Sequence, residues 1–128
     1  MSAMSDYLEN EILDHVLGTG SYTMPSTIYV GLSTGSFGDD DSGTELSGSG
    51  YTRQSITFAA ASSASAASSA TVTFPTATGS WGSVSHYGIY DASTSGNLLI
   101  HGAFSAAKTI GSGDVLRINS GDLTVTAA

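Results

Sequence analysis

The sequence predicts a mainly β domain: an antiparallel, jelly-roll-like β-sandwich with one short amino-terminal amphipathic helix. Three observations predict it. From residue 26 onward, short runs alternate apolar residues with polar or small ones, the period of a strand that buries one face. Gly-rich turns separate these runs at the spacing typical of sandwiches and barrels. Before them, a single stretch repeats its apolar residues at helical spacing instead. A chain of 128 residues has room for one core. The division expected is a helix and anchor segment over 1–20 and a sandwich over 21–128.

The helix is read from "SDYLENEILDHVLG". Ser5 or Asp6 can cap it, Glu9 stands three positions after Asp6, and Leu8, Ile12, Leu13, Val16 and Leu17 recur on a helical period. Acids lie toward its amino end and His15 toward its carboxyl end, as the helix dipole favours. Gly18 and Gly20 stop it. Strands are then predicted in "STIYVGLS" (26–33), "YTRQSITF" (51–58), "ATVTF" (70–74), "SVSHYGIY" (83–90), "NLLIHGAF" (97–104), "DVLRIN" (114–119) and "DLTVT" (122–126). Their inward positions assign Ile28, Val30, Leu32, Val72, Phe74, Leu116, Ile118, Leu123 and Val125 to the core. Two segments carry neither period. The tract "AAASSASAASSA" (59–70) reads as an extended or looping surface segment, and "STGSFGDDDSGTELSGSG" (33–50) as a long loop whose role is contact.

Composition narrows the function. Gly, Ala, Ser and Thr supply more than half of the chain, while charged residues make up 11%. Small side chains lose little entropy on being covered, which suits a surface packed against other subunits. The net charge is −8, with Arg53, Lys108 and Arg117 the only Lys or Arg residues, so no basic stripe exists to meet a phosphate backbone and nucleic acid is not an expected partner. No run is long and apolar enough to suggest a membrane span, and the acidic "MSAMSDYLENE" does not resemble a secretory signal. No cysteine is present for disulfide or thiol chemistry.

Four motifs invite a chemical reading. "GLSTG" (31–35) matches the nucleophile-elbow pattern, with Asp91 and His101 following in hydrolase order, but a Gly/Asp loop stands where the elbow requires a helix. "DDDSG" (39–43) offers close carboxylates without the spacing of a calcium loop. His15, His86 and His101 fall on a helix and two different strands, so neither a metal nor a cofactor is expected. In "WGSVSHYGIYD" (81–91), simple alternation puts Val84, His86, Gly88 and Tyr90 on one face and Ser83, Ser85, Tyr87 and Ile89 on the other, which separates His86 from Tyr87. Trp81 and the tyrosines suit a sandwich core, a subunit interface or a sugar-stacking platform.

The order of segments resembles a family of small tailed-bacteriophage virion proteins, of the tail-fibre-like or minor structural kind. The resemblance is carried by "YLENEILDHVLG" (7–18), "YTMPSTIYVGLST" (22–34), "GYTRQ" (50–54), "FPTATGSWGSVSHYGIYDA" (74–92), "GNLLIHGAF" (96–104) and "GDVLRINSGDLTV" (113–125). It implies a non-enzymatic virion component with a β-sandwich body, assembled in the bacterial host cytoplasm. Two positions on the particle follow. A capsid decoration or cement protein, a homotrimer on the major capsid protein, is the first expectation, because one compact domain and a helix of about 18 Å do not make a fibre shaft. A tail-fibre or baseplate component touching a host glycan is the second. The interface expected in either case comprises Leu8, Ile12, Leu13, Val16 and Leu17 of the helix together with Trp81, Tyr87 and Tyr90.

Overall fold

A computed structural model describes residues 2–127 and is built mainly of antiparallel strands. In chain order the elements are β1 (Ser2–Met4), α1 (Asp6–Val16), β2 (Ile28–Ser33), β3 (Gln54–Ile56), β4 (Ser65–Ala67), β5 (Val72–Thr73), β6 (Gly82–Tyr90), β7 (Leu98–Ile110), β8 (Arg117–Ile118) and β9 (Thr124–Thr126). Five of them form one sheet in the order β1-β7-β6-β2-β3. The other four pair as two short ladders, β4 with β9 and β5 with β8. Val30, Leu32, Ile56, Val84, Tyr87, Ile89 and Ile110 of the large sheet pack with Val72, Phe74, Leu116, Ile118 and Leu123 to form the main core. All nine residues assigned to the core from alternation lie in it or against it, Ile28 and Val125 at its margin.

The helix forms where its sequence signals put it. Ser5 is the N-cap, its Oγ accepting from the Leu8 amide at 3.1 Å. The same serine ties the helix to the sheet, since its amide donates to the Leu99 carbonyl at 2.8 Å and its hydroxyl donates to the Leu98 carbonyl. Strand β1, for which the sequence gives no pattern, adds to the free edge of β7 in the register Ser2↔Gly102 to Met4↔Ile100. Ser2 also joins β9, accepting from the Thr126 amide at 2.9 Å. Residues 2–17 are therefore laced to the sheet by backbone bonds at both β1 and the cap.

Alternation in β6 is broken by a bulge. Between the pairs Val84↔Lys108 and His86↔Ala103, one residue of β6 faces four of β7. The insertion shifts the parity, so Val84 joins Tyr87 and Ile89 on the core face instead of sharing a face with His86. The Ala/Ser tract is a second departure from expectation. It folds into a hairpin, with Ser62 and Ser65 exchanging amide and carbonyl bonds and β4 leaving to pair with β9. Ser63 and Ala64 at its tip have φ of 52° and 61°, the left-handed pair that a type I′ turn needs. Neither residue type advertises that turn. The hydroxyl of Ser68, buried, then accepts from the amides of Gly121 and Leu123 and anchors the tract.

The opposite face of the sheet is closed by the 33–50 loop. Gly31 and Gly88 are cross-strand partners on that face. A Cβ on Gly31 would lie 2.6 Å from Glu45 Oε2, and one on Gly88 would crowd Leu98, Tyr90 and Phe37. The glycine pair thus opens the slot into which Phe37 and Glu45 descend from the loop. Phe37, Tyr90 and Leu98 make a second small core there. Arg53 locks it: Nε and Nη2 donate to both carboxylate oxygens of Glu45 at 2.9 and 2.8 Å, and Nη1 donates to the carbonyls of Ala92 and Ser95 at 2.9 and 2.7 Å. Its guanidinium carbon lies 3.6 Å from the centroid of the Tyr90 ring. The Tyr51 hydroxyl donates to Glu45 while accepting from the Leu32 amide, and its ring packs on Phe74 and Trp81.

This packing buries the three aromatic residues of the expected interface within the single chain. Trp81, Tyr87 and Tyr90 are 5%, 4% and 3% exposed, so their rings are used mainly within the chain, with Tyr87 also lining a cleft. Trp81 Nε1 donates to the Ser49 carbonyl at 3.0 Å and the Tyr90 hydroxyl to Asp41 at 2.8 Å, which satisfies the polar ends that would otherwise draw them outward.

Two outcomes follow from this packing. Replacing Ser63-Ala64 with Asn-Gly, the pair that favours a left-handed turn, will raise stability by about 1 kcal/mol in urea unfolding; a loss would mean that the tip is not this turn. Burial pushes the phenols of Tyr51, Tyr87 and Tyr90 above their ordinary range, with Glu45 and Asp41 adding to the first and third. Stability that depends on the neutral phenols is therefore intact below the unfolded phenol pKa of about 10 and is lost above it. The urea midpoint will fall as pH rises beyond that point, and Tyr90→Phe will make the fall shallower. An unchanged midpoint there would contradict the burial.

Candidate subunit-contact surface

Helix α1 is held at one end and bare at the other. With about 100° between successive residues, Leu8 and Ile12 turn toward the sheet, and Asp6, Glu9, Leu13, Val16 and Leu17 line the other side. Leu8 is buried and Ile12 half-buried, whereas Leu13, Val16 and Leu17 are 56%, 71% and 72% exposed. The stripe is thus divided along its length, acidic over its first turn and apolar over its last two. Its end is fixed: Leu17 caps onto the Leu13 carbonyl, the amides of Thr19 and Gly20 both donate to the Asp14 carbonyl, and the Tyr22 amide donates to His15 Nδ1. The exposed apolar residues therefore stand on an ordered helix.

A concave feature lies on the core side of the sheet. Where β7 bows out at its bulge, a cleft of about 520 Å³ opens between that strand and the β8–β9 segment. Val84, Leu116 and Leu123 are buried residues of its lining, and Phe104 tilts against Tyr87 at a ring-centroid distance of 5.4 Å. Lys108 and Arg117 line it as well, with Asp122. Among the described residues neither cation makes an ion pair; Arg117 donates from Nε to Thr73 Oγ1 at 3.3 Å. Sequence reading did not find this cleft. Lys108 and Arg117 are visible as cations, but only the bulged register brings Lys108 opposite Val84.

The motifs with a chemical reading are not assembled. Ser33 is buried, its hydroxyl donating to the Thr44 carbonyl at 2.6 Å and accepting from the Gly35 amide at 3.1 Å. His101 is bonded to Asp39 at 2.7 Å and Asp91 to Asn97, so the three residues in hydrolase order have three separate sets of partners. His86 is bonded to Ser85, on the face opposite Tyr87 as alternation predicts. The three loop acids are also engaged: Asp39 with His101, Asp41 with Tyr90, and Asp40 with Ser42, whose hydroxyl and then amide hydrogen bonds hold its carboxyl below the usual range. Among the described residues no three metal-ligating side chains converge. Among the described residues no helix is long and apolar enough to cross a membrane.

What the geometry offers is surface for contact: an apolar helix end and a cleft rimmed by cations. None of the curated proteins matches the chain. The sequence model of one family, described as podophage GP4 fiber I protein gp80, matches residues 3–126, from the first paired strand to the last. The chain belongs to that family of tailed-phage virion structural proteins.

Proposed function

We propose that the protein is a globular, non-enzymatic module of a podophage fibre, present in several copies and working through contact. The family match over nearly the whole chain carries this reading, because the family description itself says fibre. It favours the second of the two positions expected from the sequence over capsid decoration. An eleven-residue helix on a single sheet-based body supports a module at an end or junction of the fibre, since a shaft requires long coiled coil or repetitive β-structure. The engaged hydroxyl of Ser33 supports contact over catalysis.

Its partners are other copies of itself, a trimer by analogy with other virion proteins, and neighbouring tail proteins. The apolar end of α1 supports such contacts: Leu13, Val16 and Leu17 would each gain about 1.5 to 3 kcal/mol on full burial. Neither a cofactor nor nucleic acid enters this role. Capsid decoration is the second reading, favoured by the same compactness. Antibody labelling of intact virions, with copy number from quantitative mass analysis, separates the two. The fibre reading expects label at the tail and few copies per particle. Label spread over the head, with copies matching its lattice points, would overturn it.

A further inference from the structure

From the two unpartnered surfaces of the chain, we propose that they are halves of one contact: the exposed face of α1 in one copy docks into the β7–β8 cleft of a second copy. The proposal rests on the reading of the protein as a self-associating virion subunit and specifies how the copies meet. Three observations carry it.

The first is charge. Eight of the eleven acids lie in residues 1–45, so the amino-terminal part of the molecule is strongly negative. Of the three Lys and Arg residues, Arg53 is held by Glu45 and two carbonyls, which leaves Lys108 and Arg117, and both line the cleft. On a chain of net charge −8, the cleft is where a carboxylate of another copy meets least repulsion. Asp122 in the lining reduces this positive character without cancelling it.

The second is pattern. The helix presents Asp6 and Glu9 and then Leu13, Val16 and Leu17 on one face. The cleft presents the same two chemistries as complements, with Lys108 and Arg117 beside Ala103, Ala106 and half-buried Phe104, over a buried apolar floor of Val84, Leu116 and Leu123. An amphipathic helix in an apolar groove with charged margins is an established docking mode, and both halves exist here already folded. The third is separation. The helix is tied to the Leu98–Leu99 end of β7 and the cleft opens at its Ala103–Lys108 bulge, so the contact is head-to-tail. Such a contact closes into a ring when its rotation permits and uses one helix and one cleft per copy.

Sedimentation velocity of the full chain over a concentration series tests this, using charge reversal on each side. Lys108→Glu with Arg117→Glu reverses the cleft; Asp6→Lys with Glu9→Lys reverses the helix face. All four positions are exposed, and thermal melts followed by circular dichroism will show that the variants stay folded. Each reversal should weaken self-association by about tenfold or more, and the quadruple variant should return to within about threefold of the native chain. Val16→Ser with Leu17→Ser should weaken it without rescue by either reversal.

A native chain that stays monomeric would overturn this docking while leaving its place in the virion untouched. Self-association indifferent to the cleft reversal, or a quadruple variant no better than either double, would overturn it as well. So would a cleft reversal that leaves self-association intact but prevents incorporation into particles, since the occupant would then be another virion protein.

Discussion

The guanidinium of Arg53 fixes the side of the sheet that the main core does not cover. It grips both oxygens of Glu45, holds the turn after β6 by two carbonyls and lies on the Tyr90 ring. Bidentate geometry and stacking on an aromatic face belong to arginine and not to lysine. Without this clamp, the bonds of Asp39 to His101, Asp41 to Tyr90 and Ser49 to Trp81 would still tether the 33–50 loop, but Glu45 would lose its charged partner in the slot at Gly31 and Gly88. The glycines allow the loop to approach, and the arginine helps to keep it there.

That arrangement determines what remains for other molecules. The loop face is sealed over Tyr90, and Trp81 and Tyr87 are buried in the main core. The Ala/Ser-rich exterior presents few groups with strong chemistry. Against this plain background, the bare end of α1 and the cleft under the β7 bulge are two local concentrations of apolar surface and charge. A virion structural protein that works by contact, as proposed, needs such places and has little use for buried nucleophiles or converging ligands. The hydroxyl of Ser33 and the ring of His101 hold the loop in place instead.

Much of the fold was legible because its signals are local. The Ser5 cap, the apolar period of α1 and the alternation in β2 are properties of neighbouring residues, and they set the helix and the main core. What escaped depends on pairing across the chain. Strand β1 is extended because β7 has an open edge beside it, which "SAM" does not announce. The Ala/Ser hairpin turns through residues with no left-handed preference, held by Ser68 and by pairing to β9. The bulge opposite Ser85 reverses the parity on which the Val84 assignment depended and creates the cleft. The helix half of the candidate contact was therefore readable from sequence and the cleft half was not. The aromatic residues of "WGSVSHYGIYD" were visible, but the burial of Tyr90 depends on a loop more than thirty residues away.

Lys108 is the only lysine in the chain, which gives the head-to-tail contact an unusually clean chemical signature. Zero-length carbodiimide coupling joins a lysine amine to a carboxylate only where the two touch. Applied to the assembled protein, it should yield a species of twice the chain mass whose linked peptides join Lys108 of one copy to Asp6 or Glu9 of another. Coupling of Lys108 only to Asp122 of its own chain, or only to a different virion protein, would contradict the account.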